Sequence, residues 1–177
     1  TVLTILISTS SFAQDKVQSS EEIMNNAFEQ AKEGDKNVLL MFHASWCGWC
    51  KKMDASINQE SVKDMFESNY VITHLVVKET AQNKHLENPG AAELLSKHGG
   101  DKSGIPYWLI FNNNGKLLAD SNMLKDKKVL IGEGSNIGCP GTQEEVDAFI
   151  FKLKETSNLS DKELKIIATE FRKNSPN

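Results

Sequence analysis

The chain has 177 residues, of which 39% are apolar, and its formal net charge is −4. This length is sufficient for one globular domain with its own hydrophobic core. Twenty Lys and Arg residues against 24 Asp and Glu leave no basic excess, and the cationic residues are scattered, which argues against nucleic-acid binding and against a membrane-surface role.

The first thirteen residues contain no charged side chain and rise to an apolar stretch that ends in small residues. This pattern is typical of the end of a secretory signal peptide, with Ser11 and Ala13 flanking a cleavage site before Gln14. The alternative is an N-terminus that is disordered or packed in the core. We expect residues 1–13 to be a signal-peptide remnant and the mature chain to be periplasmic or secreted. No other stretch reaches the roughly 18 apolar residues that a membrane-spanning helix needs.

The predicted elements begin with a helix, a strand and a second helix. Ser19 and Glu22 have capping-box spacing and predict the start of the first helix, which ends at Gly34. An apolar run over 38–44 predicts a strand that is buried on both faces. A helical pattern follows from position 47 and continues to position 66, either unbroken or with a kink.

A second strand and an irregular segment come next. The β-branched run over 70–77 predicts the strand. Residues 79–103 are the least regular part of the chain and contain a short helix candidate over 91–98. We interpret 79–103 as an excursion within one domain, since neither side alone has enough elements to fold.

A β-hairpin and two helices complete the predicted chain. The hairpin consists of strands over 105–111 and 116–119, joined by an Asn-Gly turn. A loop is predicted over 120–141. The two helices that follow each have a capping box, beginning at Thr142 and at Ser160, and an apolar face. This order predicts an α/β sandwich with a mixed sheet.

Cys47 and Cys50 lie at the junction between the first predicted strand and the helix that follows it. Cys47 would stand at the helix N-terminus, where unpaired backbone N–H groups and the helix dipole favour a thiolate over a thiol. Cys50 is one turn further along the same face, within reach for a disulfide. We predict a redox pair in which Cys47 is the more exposed cysteine with the lower pKa, whereas a buried Cys50 keeps its proton until needed.

Two other uses of a Cys-x-x-Cys pair fit the sequence less well. A purely structural disulfide would close a loop too short to constrain the unfolded chain much. A closed zinc site needs four ligands, and the other candidates show no second paired spacing, so we expect no metal. These candidates are Cys139, His43, His74, His85 and His98. Cys139, the odd third cysteine, is interpreted as a small buried apolar residue, with a redox-linked thiol or an intermolecular bridge as alternatives.

Residues 42–52, Phe-His-Ala-Ser-Trp-Cys-Gly-Trp-Cys-Lys-Lys, resemble the active-site segment of thioredoxin-like proteins. Residues 104–106, Gly-Ile-Pro, resemble the cis-proline segment that faces it. The resemblance covers roughly 38–154, interrupted by 79–103, within a single domain over 14–177. It implies a thioredoxin-like α/β fold, with a central mixed sheet flanked by helices, an insertion before the cis-proline strand and an extra C-terminal helix.

The resemblance also implies roles for single residues. Cys47 would attack a substrate disulfide, and Cys50 would resolve the mixed disulfide without a metal or organic cofactor. Pro106 would follow a cis peptide bond, although an ordinary trans proline at a strand start is the alternative. The backbone of Ile105 would pair with the bound polypeptide.

The residues beside the two cysteines are further candidates for substrate contact. We expect Trp46 to cover one side of the pair, Gly48 to keep the approach open to a substrate backbone, and Trp49 to offer an aromatic wall. His43 could act on a thiolate by its charge, but packing is the more common role of such a histidine.

Three positions bear on how far the resemblance extends. Gly48-Trp49 stands where glycine followed by proline is usual, so the redox potential cannot be transferred. Met41 stands where thioredoxins carry a buried aspartate that assists proton transfer from the second cysteine, so that assistance is absent or comes from elsewhere. Lys78 matches the lysine that partners this acid, and we interpret it as a solvated strand end.

Together these observations predict an exported, monomeric thiol–disulfide oxidoreductase that acts on protein disulfides and is recharged by an unidentified redox partner. We expect a reductase, because Trp46-Cys47-Gly48 and the strand before it look most like thioredoxins that deliver electrons. Oxidase or isomerase activity is the alternative within the same chemistry. A non-catalytic binding or chaperone module, which would use a groove beside Trp49 and Ile105, is the alternative from another class.

Overall fold

The structure is a computed structural model that describes residues 17–125 and 129–175. The predicted signal-peptide remnant and the cleavage site before Gln14 lie outside these residues. The helices are α1 Ser20–Gly34, α2 Gly48–Ile57, α3 Lys63–Asn69, α4 Ala91–Lys97, α5 Gln143–Glu155 and α6 Asp161–Arg172. The strands are β1 Asn37–His43, β2 Tyr70–Val76, β3 Tyr107–Phe111, β4 Leu117–Asp120, β5 Asn122–Met123 and β6 Ser135–Asn136.

Strands β1 to β4 form one mixed sheet in the order β2-β1-β3-β4. β1 is parallel to β2 and antiparallel to β3, and β3 is antiparallel to β4. The predicted α/β fold with a central mixed sheet and a C-terminal helix is therefore confirmed. Among the helices of the described residues, none combines the length and hydrophobicity that a membrane crossing requires.

The central strand β1 separates two hydrophobic clusters. Its side chains alternate between the two faces of the sheet, as the period of a strand requires. Leu39 and Met41 pack on the face that α2, α3, α5 and α6 cover, whereas Leu40 and Phe42 pack on the face of α1 and α4. Burial on both faces explains why the sequence of β1 is a continuous apolar run. The carboxyl end of β1 leads directly to the start of α2.

Each of the three predicted capping boxes is present. In α1, α5 and α6 a Ser or Thr side chain accepts a hydrogen bond from the third helical residue, whose Glu side chain accepts one from the capping backbone. α1 ends at Gly34 as predicted, but the left-handed residue that follows is Asp35, with φ 48°.

The predicted loop over 120–141 is partly wrong, because it contains a short two-stranded ribbon. β5 and β6 pair antiparallel, with Asn122 opposite Asn136 and Met123 opposite Ser135. Two-residue strands are too short to show an alternation of apolar and polar residues, so the sequence pattern does not indicate them. The irregular segment 79–103 holds a 3-10 helix at Ala81–Leu86 and then α4.

A buried ion pair joins α5 to the end of β4. Lys152 is 2% exposed, and its Nζ donates to the Leu130 carbonyl oxygen at 2.6 Å and to Asp120 Oδ1 at 3.4 Å. Burial lowers the pKa of Lys152, and the Asp120 carboxylate opposes that shift. The Asp120 carboxylate also accepts hydrogen bonds from the backbone N–H groups of Asn122 and Gly132, so this charge pair fixes the start of the ribbon.

The substitution Lys152→Met is expected to lower the free energy of unfolding by about 3–5 kcal/mol, because it leaves a buried carboxylate without its cationic partner. Lys154→Met on the same helix is the matched control, since the Lys154–Asp161 pair is exposed and little change is expected. Chemical denaturation at neutral pH measures both variants. Equal effects of the two substitutions would contradict the assignment.

Candidate active site

The two cysteines of the predicted redox pair form a disulfide at the N-terminus of α2, with their Cα atoms 5.3 Å apart. Cys47 is the residue that caps the helix, and its Sγ accepts a hydrogen bond from the backbone N–H of Cys50 at 3.1 Å. The same N–H and the helix dipole would stabilise a thiolate at Cys47 in the reduced protein. The strand-to-helix junction thus places Cys47 where the sequence predicts a low pKa.

The predicted difference in exposure between the two cysteines is wrong for the disulfide form. Cys47 is 2% exposed and Cys50 is 3% exposed. Both pack against Ala44, which directly follows β1, and against Ile105 from the segment before β3. Ile105 lies 58 residues from Cys47 in the sequence, so no local pattern indicates how deeply its side chain buries the two cysteines. The assignment of Cys47 as nucleophile therefore depends on its place at the helix end.

The sequence neighbours of the two cysteines, Trp46, Gly48 and Trp49, lie on the protein surface. Trp46 is 55% exposed and Trp49 is 48% exposed, although both are large apolar side chains. The indole N–H of Trp46 donates to the Lys78 carbonyl oxygen at 2.9 Å. The Lys52 ammonium lies 4.7 Å from the centroid of the Trp49 ring. A Cβ added at Gly48 would meet no atom within 4 Å, so the surface is open there.

The segment before β3 faces the cysteine pair. The peptide bond between Ile105 and Pro106 is cis, and the Ile105 carbonyl oxygen lies 3.5 Å from Cys47 Sγ. Ile105 and Pro106 precede β3, which begins at Tyr107 rather than at the predicted position 105. A groove of about 260 Å³ runs beside the pair, and its lining includes Trp49, Gly104, Ile105, Pro106, Asn136 and Cys139.

Glu79 is a residue of the site that no sequence pattern indicates. It follows β2, is buried, and accepts hydrogen bonds from the backbone N–H and from the hydroxyl of Ser45. The Ser45 backbone hydrogen bond is the main cause that lowers the pKa of Glu79. Glu79 therefore fixes the turn that leads from β1 into Trp46 and Cys47. An acid after a strand is common in sequences, so no pattern singled it out.

The substitution Glu79→Gln is expected to lower the stability of the protein at neutral pH and to have less effect in acid. The pKa of Glu79 is lower in the folded state than in the unfolded state. Its stabilisation is then fully present above the unfolded pKa and is lost as the pH falls through the folded pKa. The difference in melting temperature between wild type and variant measures this stabilisation. We expect the difference to be larger at about pH 6 than at about pH 3. A difference independent of pH would contradict the assignment.

The interpretation of Lys78 as a solvated strand end is wrong. Its Nζ donates to the carbonyl oxygens of Gly100 at 3.3 Å, Asp101 at 3.0 Å and Ser103 at 2.6 Å. Burial lowers the pKa of Lys78, and Asp101 opposes that shift. Met41, at the position of the usual buried acid, is an apolar core residue. Lys78 therefore donates to backbone carbonyl oxygens instead of pairing with a buried carboxylate. The lysine thus ties the end of β2 to the segment that leads into Ile105.

A second group of titratable side chains lies at the end of β1. His74 Nε2 is 2.8 Å from Asp54 Oδ1, and the rings of His43 and His74 are 5.2 Å apart. Burial is the main cause that lowers the pKa of His43, and His74 adds to it, while Asp54 and Glu79 oppose it. His43 is therefore largely neutral near pH 7 and supplies little positive charge to a thiolate. Packing, the more common role for such a histidine, describes it better.

Cys139 is buried, as its interpretation as a small apolar residue expects. Burial raises the pKa of its thiol to about 12, so the side chain is a neutral thiol at physiological pH. Within 17–125 and 129–175, no group of three or more His, Cys, Asp or Glu side chains is arranged to hold a metal ion.

The mixed sheet and the cysteine pair at a helix N-terminus define a thiol–disulfide oxidoreductase of the thioredoxin type. The chain belongs to the thioredoxin-like family, whose profile matches residues 20–113. A comparison with curated proteins found no match.

Several solved structures are similar to this chain. A disulphide isomerase from Xylella fastidiosa Temecula1 is 21% identical, with 63% of this chain and 80% of that chain covered, at a TM-score of 0.48. The C-terminal domain of DsbD from Neisseria meningitidis, in the oxidised form, is 21% identical over 67% of this chain and 89% of that chain, at a TM-score of 0.43. The DsbH oxidoreductase is 22% identical over 67% of this chain and 81% of that chain, at a TM-score of 0.41.

Proposed function

We propose that this protein is a reductase of protein disulfides, with Cys47 as the nucleophile and Cys50 as the resolving cysteine. The observation that carries the proposal is the position of Cys47 Sγ. It caps α2, accepts a hydrogen bond from the Cys50 backbone N–H, and lies 3.5 Å from the carbonyl oxygen of Ile105, a residue that lines an open groove. A thiolate in this position is both stabilised and close to a surface where a polypeptide can lie.

The reaction proceeds in two exchanges. In the first, the Cys47 thiolate attacks one sulfur of the substrate disulfide, a mixed disulfide forms, and the other substrate sulfur leaves as a thiolate that takes up a proton. In the second, Cys50 loses its proton and attacks the Cys47 sulfur. The substrate leaves as a dithiol and the protein is left with the Cys47–Cys50 disulfide. A dithiol redox partner then returns the electron pair.

The electrostatics of the site favour the reductase direction. A strongly oxidising dithiol protein requires a reduced form that is greatly stabilised, which a cation beside the thiolate can supply. Gly48 and Trp49 place no cation between the cysteines. His43 is held largely neutral by its lowered pKa, and the Lys52 ammonium lies over the Trp49 ring. The backbone N–H of Cys50 and the helix dipole then provide moderate stabilisation of the thiolate. Oxidase or isomerase activity is the alternative that a measured potential distinguishes.

A polypeptide substrate accounts for the surface around the pair. Two half-exposed tryptophans, Trp46 and Trp49, flank the cysteines, and large aromatic side chains of this kind are enriched where proteins bind one another. Ile105 and Pro106 line the groove beside Trp49, and the Ile105 carbonyl oxygen lies 3.5 Å from Cys47 Sγ. We propose that Trp46, Gly48, Trp49, Ile105 and Pro106 contact the substrate chain.

The setting of the reaction is also part of the proposal. We propose that residues 14–177 act as a single domain, because α5 and α6 pack into the same hydrophobic cluster as β1 and β3. We propose export from the cytoplasm, supported by the apolar stretch within the uncharged residues 1–13, and action as a monomer. Cell fractionation and the sedimentation of the purified protein test these two points.

Trapping with Cys50→Ser tests the proposed function. This variant forms the mixed disulfide but lacks the sulfur that releases the substrate. We therefore expect disulfide-linked complexes with other proteins, and we expect dithiothreitol to reduce them. The control is the double variant Cys47→Ser with Cys50→Ser, and all proteins carry Cys139→Ser to remove the third thiol. Capture by Cys50→Ser that does not exceed capture by the double variant would refute the proposal.

A further inference from the structure

Asn136 lies in strand β6 and lines the same groove as Trp49 and Ile105, and its side chain makes four hydrogen bonds. Its Nδ2 donates to the carbonyl oxygens of Gly104 at 2.9 Å and Pro106 at 3.0 Å. Its Oδ1 accepts from the Ser121 hydroxyl at 2.7 Å and from the Gly138 backbone N–H at 3.1 Å. Both N–H donors and both acceptor positions of the amide are therefore in use.

The two carbonyls that Asn136 binds belong to the residues on either side of Ile105. This segment precedes β3 and lies outside the pairing of the sheet, so the ladder hydrogen bonds do not hold it. Ile105 packs against the two cysteines, and its own carbonyl oxygen faces Cys47 Sγ. The side chain of Asn136 thus brackets the piece of main chain nearest the reacting sulfur.

Asn136 can hold this segment because its own strand is anchored. It stands opposite Asn122 in the ribbon of β5 and β6, and Ser121, which is fully buried, binds its Oδ1. The indole N–H of Trp108 in β3 donates to the Gly138 carbonyl oxygen at 3.0 Å. The ribbon is therefore fixed to the central sheet.

Lys78 holds the same segment further from the site. Its three carbonyl partners lie at positions 100, 101 and 103, whereas those of Asn136 lie at 104 and 106. The contacts of Asn136 are therefore the ones adjacent to Ile105.

We propose that Asn136 is a positioning residue, which fixes the Ile105 main chain in the orientation that a substrate polypeptide pairs with. This inference rests on the proposed reductase function. The ribbon would then serve substrate recognition and not only the cover of the sheet. A main chain that is fixed before binding costs less ordering entropy when the substrate docks, so the contribution of Asn136 should be found in substrate affinity.

The test compares Asn136→Ala with Asn122→Ala in the full chain. Asn122 is the matched control, because it lies opposite Asn136 in the same ribbon but its Nδ2 donates to Tyr107 and Gly132. Steady-state reduction of insulin is measured beside reduction of the small aromatic disulfide 5,5′-dithiobis(2-nitrobenzoate), which has no main chain to pair. For Asn136→Ala we expect KM for insulin to rise about tenfold with kcat nearly unchanged, and the small disulfide to react as with wild type.

Asn122→Ala is expected to leave KM for insulin near the wild-type value even where it lowers stability. Ser121→Ala is a second variant for the case that Asn136→Ala does not fold. It removes one hydrogen bond that orients the Asn136 amide, and a rise of about threefold in KM for insulin is expected.

Three results are distinct in this experiment. A wild-type protein that does not reduce insulin refutes the proposed function, and the inference falls with it. An active wild type, with KM for insulin unchanged or raised equally by Asn136→Ala and Asn122→Ala, overturns the inference alone. Equal losses by Asn136→Ala on insulin and on the small disulfide overturn it as well, because they indicate damage to the cysteine pair.

Discussion

Replacing Cys47 with serine is expected to slow the reduction of a protein disulfide by at least about a thousandfold, because a neutral hydroxyl cannot open a disulfide as a thiolate does. The position of Cys47 as the cap of α2 is what makes it the attacking sulfur. Reduction of insulin by dithiothreitol, catalysed by each variant, measures the effect. Cys139→Ser is the matched control, and we expect nearly full activity from it, since burial raises the pKa of that thiol to about 12.

The same variant separates the enzyme from the alternative binding module. A module that uses only the groove beside Trp49 and Ile105 needs no thiolate. If Cys47→Ser retained full function in cells, or full activity on insulin, the redox account would be wrong. If Cys139→Ser lost as much activity as Cys47→Ser, the assignment of the reactive thiol to Cys47 alone would be wrong.

Replacing Phe149 with alanine is expected to lower the free energy of unfolding by about 3–5 kcal/mol, through lost apolar burial and a cavity. Phe149 is fully buried in α5. Its ring centroid lies 5.0 Å from that of Phe171, 5.3 Å from Trp108 and 6.4 Å from Phe66. It therefore joins both C-terminal helices to the sheet and to α3. Urea denaturation of the oxidised protein measures the loss.

A more peripheral phenylalanine provides the control for this prediction. Phe28 in α1 is only partly buried and meets Phe111 edge-to-face at 6.0 Å, so Phe28→Ala should cost clearly less than Phe149→Ala. Where Phe149→Ala does not fold, Phe149→Leu is expected to show a loss of about 1–2 kcal/mol. If Phe28→Ala and Phe149→Ala lowered the free energy of unfolding equally, the central place of Phe149 in the core would be contradicted.

The parts of this protein that were predictable depend on local signals. A buried apolar strand directly before Cys47 and Cys50 places the pair at a helix N-terminus, and the structure has it there. Ser and Glu at capping-box spacing marked the starts of α1 and α6 correctly. Each of these signals acts within a few residues of the chain, so a single sequence contains it in full.

The parts that could not be predicted depend on contacts between distant residues. Lys78 was misread because the carbonyls it binds lie 22 to 25 residues later, in a segment without regular structure. Asn136 gave no signal, since asparagine is common in turns and its partners Gly104 and Pro106 lie some 30 residues earlier. The equal burial of the two cysteines also depends on a distant residue, Ile105.

The reduction potential of the Cys47–Cys50 pair tests the proposed function most directly. The Cys139→Ser protein is equilibrated with graded mixtures of reduced and oxidised dithiothreitol or glutathione, and the free thiols are counted after alkylation. We predict a value of about −270 mV, where dithiol proteins that deliver electrons lie. A value of about −120 mV, where strong dithiol oxidants lie, would contradict the reductase account.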